Sequence, residues 1–394
     1  IPNEPWLPSF SSSSGWLARI GSPCSARVDS AAVASSPPPV VHALAWPGEL
    51  SGAVRSVEES LAALSASQVD ARAWLATANR FVESPASSRF ARRELSTEEW
   101  RADAWLAPRA VRSLLASVRK AGPGAILHTH GERALLWGRA ASRMGRLRHV
   151  HTQHGFIAND PRGRRRVRVA RQLSAGVDAL IAVHPETAEG QPSAQVIPNC
   201  LEPEAFRAEA LDRHLARRRL GLRDNQRCYL FLGRLSPEKG ADTLGVVQAR
   251  LEENSGAAVL FVAGSGPLAR GVEAMSDVRL LGHRNDPANI LAAADVVLMP
   301  SRSEGLPMVA LEAAAIGVPV VGFAVGGLAD SALAATVPVD DVGGLVSVAM
   351  HLVRNADVSR QRVAAAREAL EAQFSPVRHA SALKDLYARV ASRS

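Results

Sequence analysis

Cysteine, lysine and tyrosine are nearly missing from this chain of 394 residues. Its three cysteines, Cys24, Cys200 and Cys228, stand too far apart for a disulfide framework or a thiolate metal cluster. They suit a reducing compartment, so a cytoplasmic protein is expected. No run approaches the roughly 18 uninterrupted apolar residues of a membrane-crossing helix. The first residues lack the basic, then apolar, then small-residue order of a secretory signal. No D-x-D triplet occurs, and no His, Cys and Asp group has metal-ligand spacing, so the sequence calls for no bound metal and no resident cofactor. Basic residues are not interleaved with aromatics and no nucleic-acid-binding motif is present, so no nucleic-acid partner is expected.

What is present is ordinary for a globular chain: 47% hydrophobic and 21% charged residues, in a length that favours two domains over one core. The net charge of +8 is uneven. Residues 1–200 hold 24 basic and 16 acidic residues, and residues 201–394 hold 22 of each. An anionic partner near the first half is implied. Lys120, Lys239 and Lys384 are the only lysines, so arginine carries nearly all the positive charge.

Residues 1–38, rich in Ser, Pro and Ala, read as a poorly ordered leader. From Val40 the chain alternates. VVHALA (40–45) is a strand candidate, a helix follows from about Ala53, and Asp70 to Ala76 is a second strand. Residues 78–100 read as polar and irregular. Trp105 to Lys120 reads as a helix with Trp105, Val111, Leu114, Leu115 and Val118 on one face. AILHT (125–129), RHVHTQ (148–153), ALIAV (179–183) and QVIPN (195–199) follow as strands between helices. The second half repeats the rhythm with CYLFLG (228–233), AAVLFVAG (257–264), VRLLG (278–282) and DVVLMP (295–300), and helices close the chain from Val342. Continuous apolar strands alternating with helices mean parallel sheets covered on both faces. Two such runs predict an α/β protein of two doubly wound, Rossmann-like domains, whose ligands lie at the carboxyl ends of the strands.

Ser301 to Gly327 is the densest stretch. Its loop SRSEGLP leads into a helix that Pro307 can start, with Met308 to Ile316 rich in helix formers, and Gly317 stops it. Glu304 sits in the loop, and Glu312 sits within the helix after seven intervening residues. A helix start suits a phosphate, whereas carboxylates there suit hydroxyls, so the combination points to a sugar nucleotide. A capping acid beside a solvated acid would look the same in isolation. Arg234 and Lys239 follow a strand in a helix-opening loop, where two cations can neutralise a departing diphosphate.

The second half resembles the nucleotide-sugar domain of glycosyltransferase family 4, the retaining GT-B enzymes. The matching motifs run in family order: IPN (197–199), FLGRLSPEKGADTL (231–244), FVAGSGP (261–267), LLGHRND (280–286), ADVVLMPSRSEGLPMVALEAAAIGVPVV (294–321) and VGGLAD (325–330). LHTHG (127–131), HTQHG (151–155) and DALIAVHPE (178–186) match the first half more sparsely. The resemblance implies that Arg234 and Lys239, after Gly233, bind the donor diphosphate. It implies that Glu312 takes both ribose hydroxyls and that Glu304, with the backbone of Gly305, Leu306, Pro307 and Met308, faces the transferred sugar and phosphate. Gly264 and Gly266 let the backbone approach the donor, although a plain strand-to-helix turn also needs them. His283 and Arg284 lie where the base is held. His154 matches the family histidine that reaches the donor sugar from across the cleft. His130 is placed on the acceptor side, with a structural role equally open, and His151 is read as facing away. Gly52 stands in the phosphate-approaching loop, but as Ser51-Gly52 where the family has two glycines. Cys200 follows IPN where glycine is common, and Asp330 replaces a Glu.

The implied protein has an acceptor domain at 39–200, a nucleotide-sugar domain at 201–375 and a helix at 376–394 that crosses back to the first domain. The implied reaction moves a hexose-type sugar, with retention and without metal, from a nucleoside-diphosphate sugar co-substrate to a glycan, lipid-linked or small-molecule acceptor. A GT-B epimerase or hydrolase, and a non-catalytic sugar-nucleotide-binding protein, are the alternatives. Six arginines between Arg162 and Arg171 suggest a solvated helix or a contact with an anionic membrane surface, so the cytoplasmic reading extends to a peripheral position on the inner face of the plasma membrane.

Overall fold

The computed structural model describes residues 37–45, 51–77, 85–101, 108–155, 161–254, 257–275 and 277–393. Two parallel sheets organise them. The first contains β1 (Val40–Ala45), β2 (Ala71–Thr77), β3 (Thr97–Arg101), β4 (Ile126–His130), β5 (His149–Gln153), β6 (Ala179–Ala182) and β7 (Ala194–Val196), in the order β3-β2-β1-β4-β5-β6-β7. The second contains β8 (Arg227–Leu232), β9 (Ala258–Ala263), β10 (Val278–Gly282), β11 (Val296–Met299), β12 (Val320–Phe323) and β13 (Ala335–Val337), in the order β10-β9-β8-β11-β12-β13. Each order reverses once, between β1 and β4 and between β8 and β11. Loops diverge at such reversals and leave a crevice at the carboxyl ends of the strands.

The sequence of the second sheet explains its burial. Residues such as Leu230, Phe261 and Val297 face one core, and Tyr229, Leu260 and Val296 face another on the opposite side. Strands wrapped on both faces have no reason to alternate polar and apolar residues. The helix Met308–Ile316 is apolar apart from Glu312 and almost wholly buried, with Ala310, Leu311 and Ala313 fully inside. Gly317 ends it in the left-handed region at φ 92°, and Pro307 is the cap residue in extended conformation, just outside the first turn.

Four elements differ from expectation. Residues 78–100 contain a helix, Pro85–Arg92, and the start of β3. The strand Thr97-Glu98-Glu99-Trp100-Arg101 is polar because it is the sheet edge, with neighbours on one side only. The strand β13 is likewise a short edge. The helix expected from Trp105 runs over Pro108–Ala121, and Trp105 itself lies outside the described residues, as does most of the expected leader.

The last helix, Pro376–Ala391, lies against the first sheet: Leu383, Leu386, Tyr387 and Val390 pack with Val40, Ile126, Val150 and Ile181. In the arginine-rich helix Pro161–Ser174, Val167 and Ala170 are buried while Arg165 and Arg168 are exposed. Among the described residues no helix is long and apolar enough to cross a membrane.

Candidate active site

The carboxyl ends of both sheets face each other, and the expected residues gather there. Gly233 and Arg234 follow β8, Gly264 and Gly266 follow β9, His283 and Arg284 follow β10, Glu304 follows β11, and Gly326 follows β12. From the first sheet, His130 ends β4 and His154 follows β5.

The charges of the second domain are held in pairs. Lys239 donates to both carboxylate oxygens of Glu304 at 2.7 Å. Arg234, half exposed, donates to Glu238 at 2.5 Å. The Glu312 carboxylate is 1% exposed and pairs with Arg55, which comes from the first domain. Burial, aided by Arg89, pulls the Arg55 guanidinium down to about 9, so it stays cationic at neutral pH. Its helix, Gly52–Ala66, starts at the Ser51 cap, and Gly52 lies close to Met308. Thus Gly52, Arg55, Met308 and Glu312 meet at one place in the cleft.

Further contacts join the domains. Asn199 donates to the Leu306 carbonyl at 2.7 Å and accepts from the Ser56 hydroxyl at 2.7 Å. The Gly326 N–H donates to Glu186 at 3.1 Å. His184 lies 3.3 Å from Asp330. Gly305 sits so close to the first domain that an added Cβ would meet the His154 carbonyl oxygen at 2.5 Å and a Val183 methyl at 2.8 Å. Gly305→Ala is therefore expected to wedge the cleft and lower kcat/KM by about 10–100-fold, since a shift of about 1 Å in a reacting pair has that cost. Because the clash lies between domains, the melting temperature should change little. Turnover and thermal unfolding measured on one preparation check both statements.

The glycines of AGSGP are needed for a reason inside the protein. At φ 153° and 155°, Gly264 and Gly266 bring their Cα atoms against the Gly233 and Leu235 carbonyls, and a Cβ would approach these to 1.8 and 2.3 Å. The chain itself thus accounts for the need for glycine at both positions. His283 and Arg284 lie in an exposed turn, where Arg284 pairs with Asp286 at 2.8 Å.

His154 is half-buried, and desolvation, aided by His379, pulls it down to about 4. Its Nε2 contacts His130 Nδ1 at 3.0 Å, and its Nδ1 is buried with no partner among the described residues. His151 faces the other side of the sheet, as expected, and contacts Thr129 at 3.0 Å. A small cleft cavity, with room for about one water, is lined by His130, His154, Ser56, Ser60, Asn199 and His379 among others.

Arg55, Asn199, Ser56 and Glu186 escaped the sequence reading as site residues. Asn199 lay in the quoted IPN motif. For Arg55 the signal was weak: a single arginine on the buried side of a helix, whose partner is far along the chain.

Comparison with known proteins follows the same division. The model for "Glycosyltransferase Family 4" matches residues 50–203, and that for "Glycosyl transferases group 1" matches 226–355. A D-inositol 3-phosphate glycosyltransferase of Xylanimonas cellulosilytica is 32% identical over 308 residues, 68% of this chain and 72% of that protein. An Escherichia coli UDP-Gal:alpha-D-GlcNAc-diphosphoundecaprenol alpha-1,3-galactosyltransferase is 30% identical over 219 residues, 50% of this chain and 57% of that protein. Among solved structures, HepE of Anabaena in complex with UDP and glucose superposes with a TM-score of 0.73 at 17% identity, covering 89% of this chain and 99% of that one. Sucrose-phosphate synthase of Thermosynechococcus elongatus gives 0.71 at 20%, covering 91% and 100%. The matched sequence halves and the two facing Rossmann-like domains together show that the chain belongs to glycosyltransferase family 4 and is a GT-B glycosyltransferase.

Proposed function

We propose that the protein is a retaining hexosyltransferase that moves sugar from a uridine-diphosphate sugar to an acceptor hydroxyl, with protein cations in place of a metal. The observation that carries this reading is the meeting of Arg234, Lys239, Glu304 and Glu312 with His154 and Gly52 at the facing strand ends. The uridine diphosphate part is supported by the UDP and glucose held by HepE and by the UDP-galactose in the name of the Escherichia coli relative.

In this reading Arg234 and Lys239 take the diphosphate, and Lys239 turns from Glu304 to do so. Glu304 is then free to accept from sugar hydroxyls, and Glu312 from the ribose, sharing its second oxygen with Arg55. The acceptor oxygen bonds to the anomeric carbon on the face from which the diphosphate departs. As the bond from that carbon to the diphosphate oxygen breaks, a diphosphate oxygen takes the acceptor proton. No other group in the matched motifs is placed as a covalent nucleophile, which supports same-face attack. Retention is checked by the anomeric configuration of the first-formed product, observed by NMR.

Glu312→Ala is expected to weaken UDP binding by about 1–3 kcal/mol, the cost of unpaired hydroxyls. Calorimetry checks this, and equal affinity for wild type and variant would remove the ribose assignment. The metal-free reading rests on the missing D-x-D and on the two cations. Transfer is expected to persist in excess EDTA. Loss that magnesium or manganese restores would contradict it.

The acceptor is a glycan, lipid-linked or small-molecule hydroxyl. The exposed Arg165 and Arg168 of the helix Pro161–Ser174 support contact with an anionic membrane surface, each contributing about 1 kcal/mol near such a surface. A cytoplasmic enzyme that associates peripherally with the membrane fits this arrangement.

A further inference from the structure

Behind His154 lies a row of buried side chains that runs from the cleft to the last helix. His154 Nε2 meets His130 Nδ1 at 3.0 Å, and His130 Nε2 meets His42 Nδ1 at 3.0 Å. His42 Nε2 meets the Tyr387 hydroxyl at 3.3 Å. The same hydroxyl meets His128 Nδ1 at 2.7 Å, and His128 Nε2 meets the Thr152 hydroxyl at 2.7 Å. His42, His128, His130 and Tyr387 are at most 5% exposed. Three strands and the last helix thus contribute to one hydrogen-bonded line.

The line constrains its own protons. A neutral imidazole has one N–H and one lone pair, and burial keeps these imidazoles neutral. Each contact between two histidines needs an N–H on one side and a lone pair on the other. Fixing one tautomer therefore fixes the next, and two arrangements satisfy every contact while also using the buried Tyr387 proton. In the first, Tyr387 donates to His42, His42 to His130 and His130 to His154, so that His154 Nδ1 bears the proton. In the second, every bond runs the other way: His154 Nε2–H donates to His130, His130 to His42, His42 to Tyr387, Tyr387 to His128, and His128 to Thr152.

The open end of the row discriminates between them. His154 Nδ1 is buried and has no partner among the described residues. The first arrangement places an N–H there with no acceptor, and the second places only a lone pair. A buried N–H without an acceptor is the rarer orphan, which selects the second arrangement.

We infer that Tyr387, His42 and His130 are positioning residues that hold His154 as its Nε2–H tautomer and present the Nδ1 lone pair toward the cleft as an acceptor for a hydroxyl. The buried, unpartnered Nδ1 of His154 is the open end of the row. The inference rests on the proposed function in taking that hydroxyl from the donor sugar. It also makes the last helix, which crosses back from the second domain, part of the catalytic geometry.

The test is the 15N NMR spectrum of protein labelled at histidine, with His154 assigned by its loss in His154→Gln. Wild type is expected to show a protonated Nε2 and a pyridine-like Nδ1 for His154. In Tyr387→Phe, which keeps the ring and removes the hydroxyl, the His154 signals should move toward a tautomer mixture. With UDP-glucose as donor, kcat should fall about 10-fold while KM stays within about twofold, the range for partners that orient a functional side chain. His130→Phe cuts the row next to His154 and should cost about 10–100-fold in kcat. A wild-type spectrum with Nδ1 protonated overturns the inference, as does Tyr387→Phe with unchanged tautomer and kcat. Stoichiometric metal in the purified protein also overturns it, since His42, His128 and His130 have nitrogens within 4.8 Å of one another. The wild-type spectrum needs no variant to fold and no turnover. It therefore judges the row even if sugar transfer is not found, and it can fail while the transferase reading stands.

Discussion

The protein is expected to unfold cooperatively between about pH 6 and pH 5, while remaining folded and active at pH 7. Seven histidines are held neutral by burial. His42, His149 and His151 are pulled down to about 3, His154 and His379 to about 4, and His128 and His130 well below the ordinary value. The unfolded chain takes up protons as pH falls through about 6.5, and the folded chain does not until far lower. Lowering the pH therefore favours the unfolded state throughout that window, and above about pH 7 the effect vanishes. Each such group costs roughly 1.4 kcal/mol at pH 5.5, one unit below its unfolded pKa. Seven together amount to roughly 10 kcal/mol, which is comparable with the whole stability of a domain, about 5–15 kcal/mol. Circular dichroism against pH checks this. A midpoint below about pH 4 would show that these side chains are solvated.

Lys239→Ala should lower kcat/KM by about 10²–10³-fold, the scale of losing one charge-stabilising group at a developing anion. The loss has two physical sources. In the proposed reaction the ammonium that would meet the departing diphosphate is gone, and Glu304, whose side chain is 6% exposed, is left as a buried carboxylate without its counter-ion. The second source can be separated from the first. In Lys239→Ala with Glu304→Gln the stranded charge is removed, so the double variant should fold more stably than Lys239→Ala while recovering no turnover. Steady-state kinetics and thermal unfolding of the two variants check it. Additive losses in both quantities would show that the two side chains act independently, contrary to their 2.7 Å contacts.

Much of the second domain was legible. The strand VVLM, the loop SRSEGLP and the helix MVALEAAAI followed from apolar runs bounded by proline and glycine, and the helix ended at Gly317 as expected. These signals are local, and local signals survive in sequence. The strand β3 left no such mark because it is a polar edge strand, and β13 left none because it is only three residues long. The second half of the candidate site was legible for the same reason as its fold, since Arg234, Lys239, Glu304 and Glu312 sit in dense motifs. What joins the halves was not. Arg55 and Glu312 are distant in sequence, and so are Tyr387 and His42. One clue went unread. Five of the eleven histidines fall within residues 128–154, and on β4 and β5 they recur at every second position, which places whole faces of histidine inside the sheet. The alternation showed that they share faces, but only the neighbouring β1 and the last helix reveal that one face forms a connected line.

Titration calorimetry of UDP into wild type and into the Arg234→Ala, Lys239→Ala double variant addresses the site most directly. Wild type is predicted to bind one UDP per chain. The double variant, still folded at pH 7, should bind at least about 100-fold more weakly, because two charge-assisted contacts are lost. Equal affinity in the two proteins, or no binding of UDP to wild type, would contradict the assignment of this cleft as a uridine-diphosphate-sugar site.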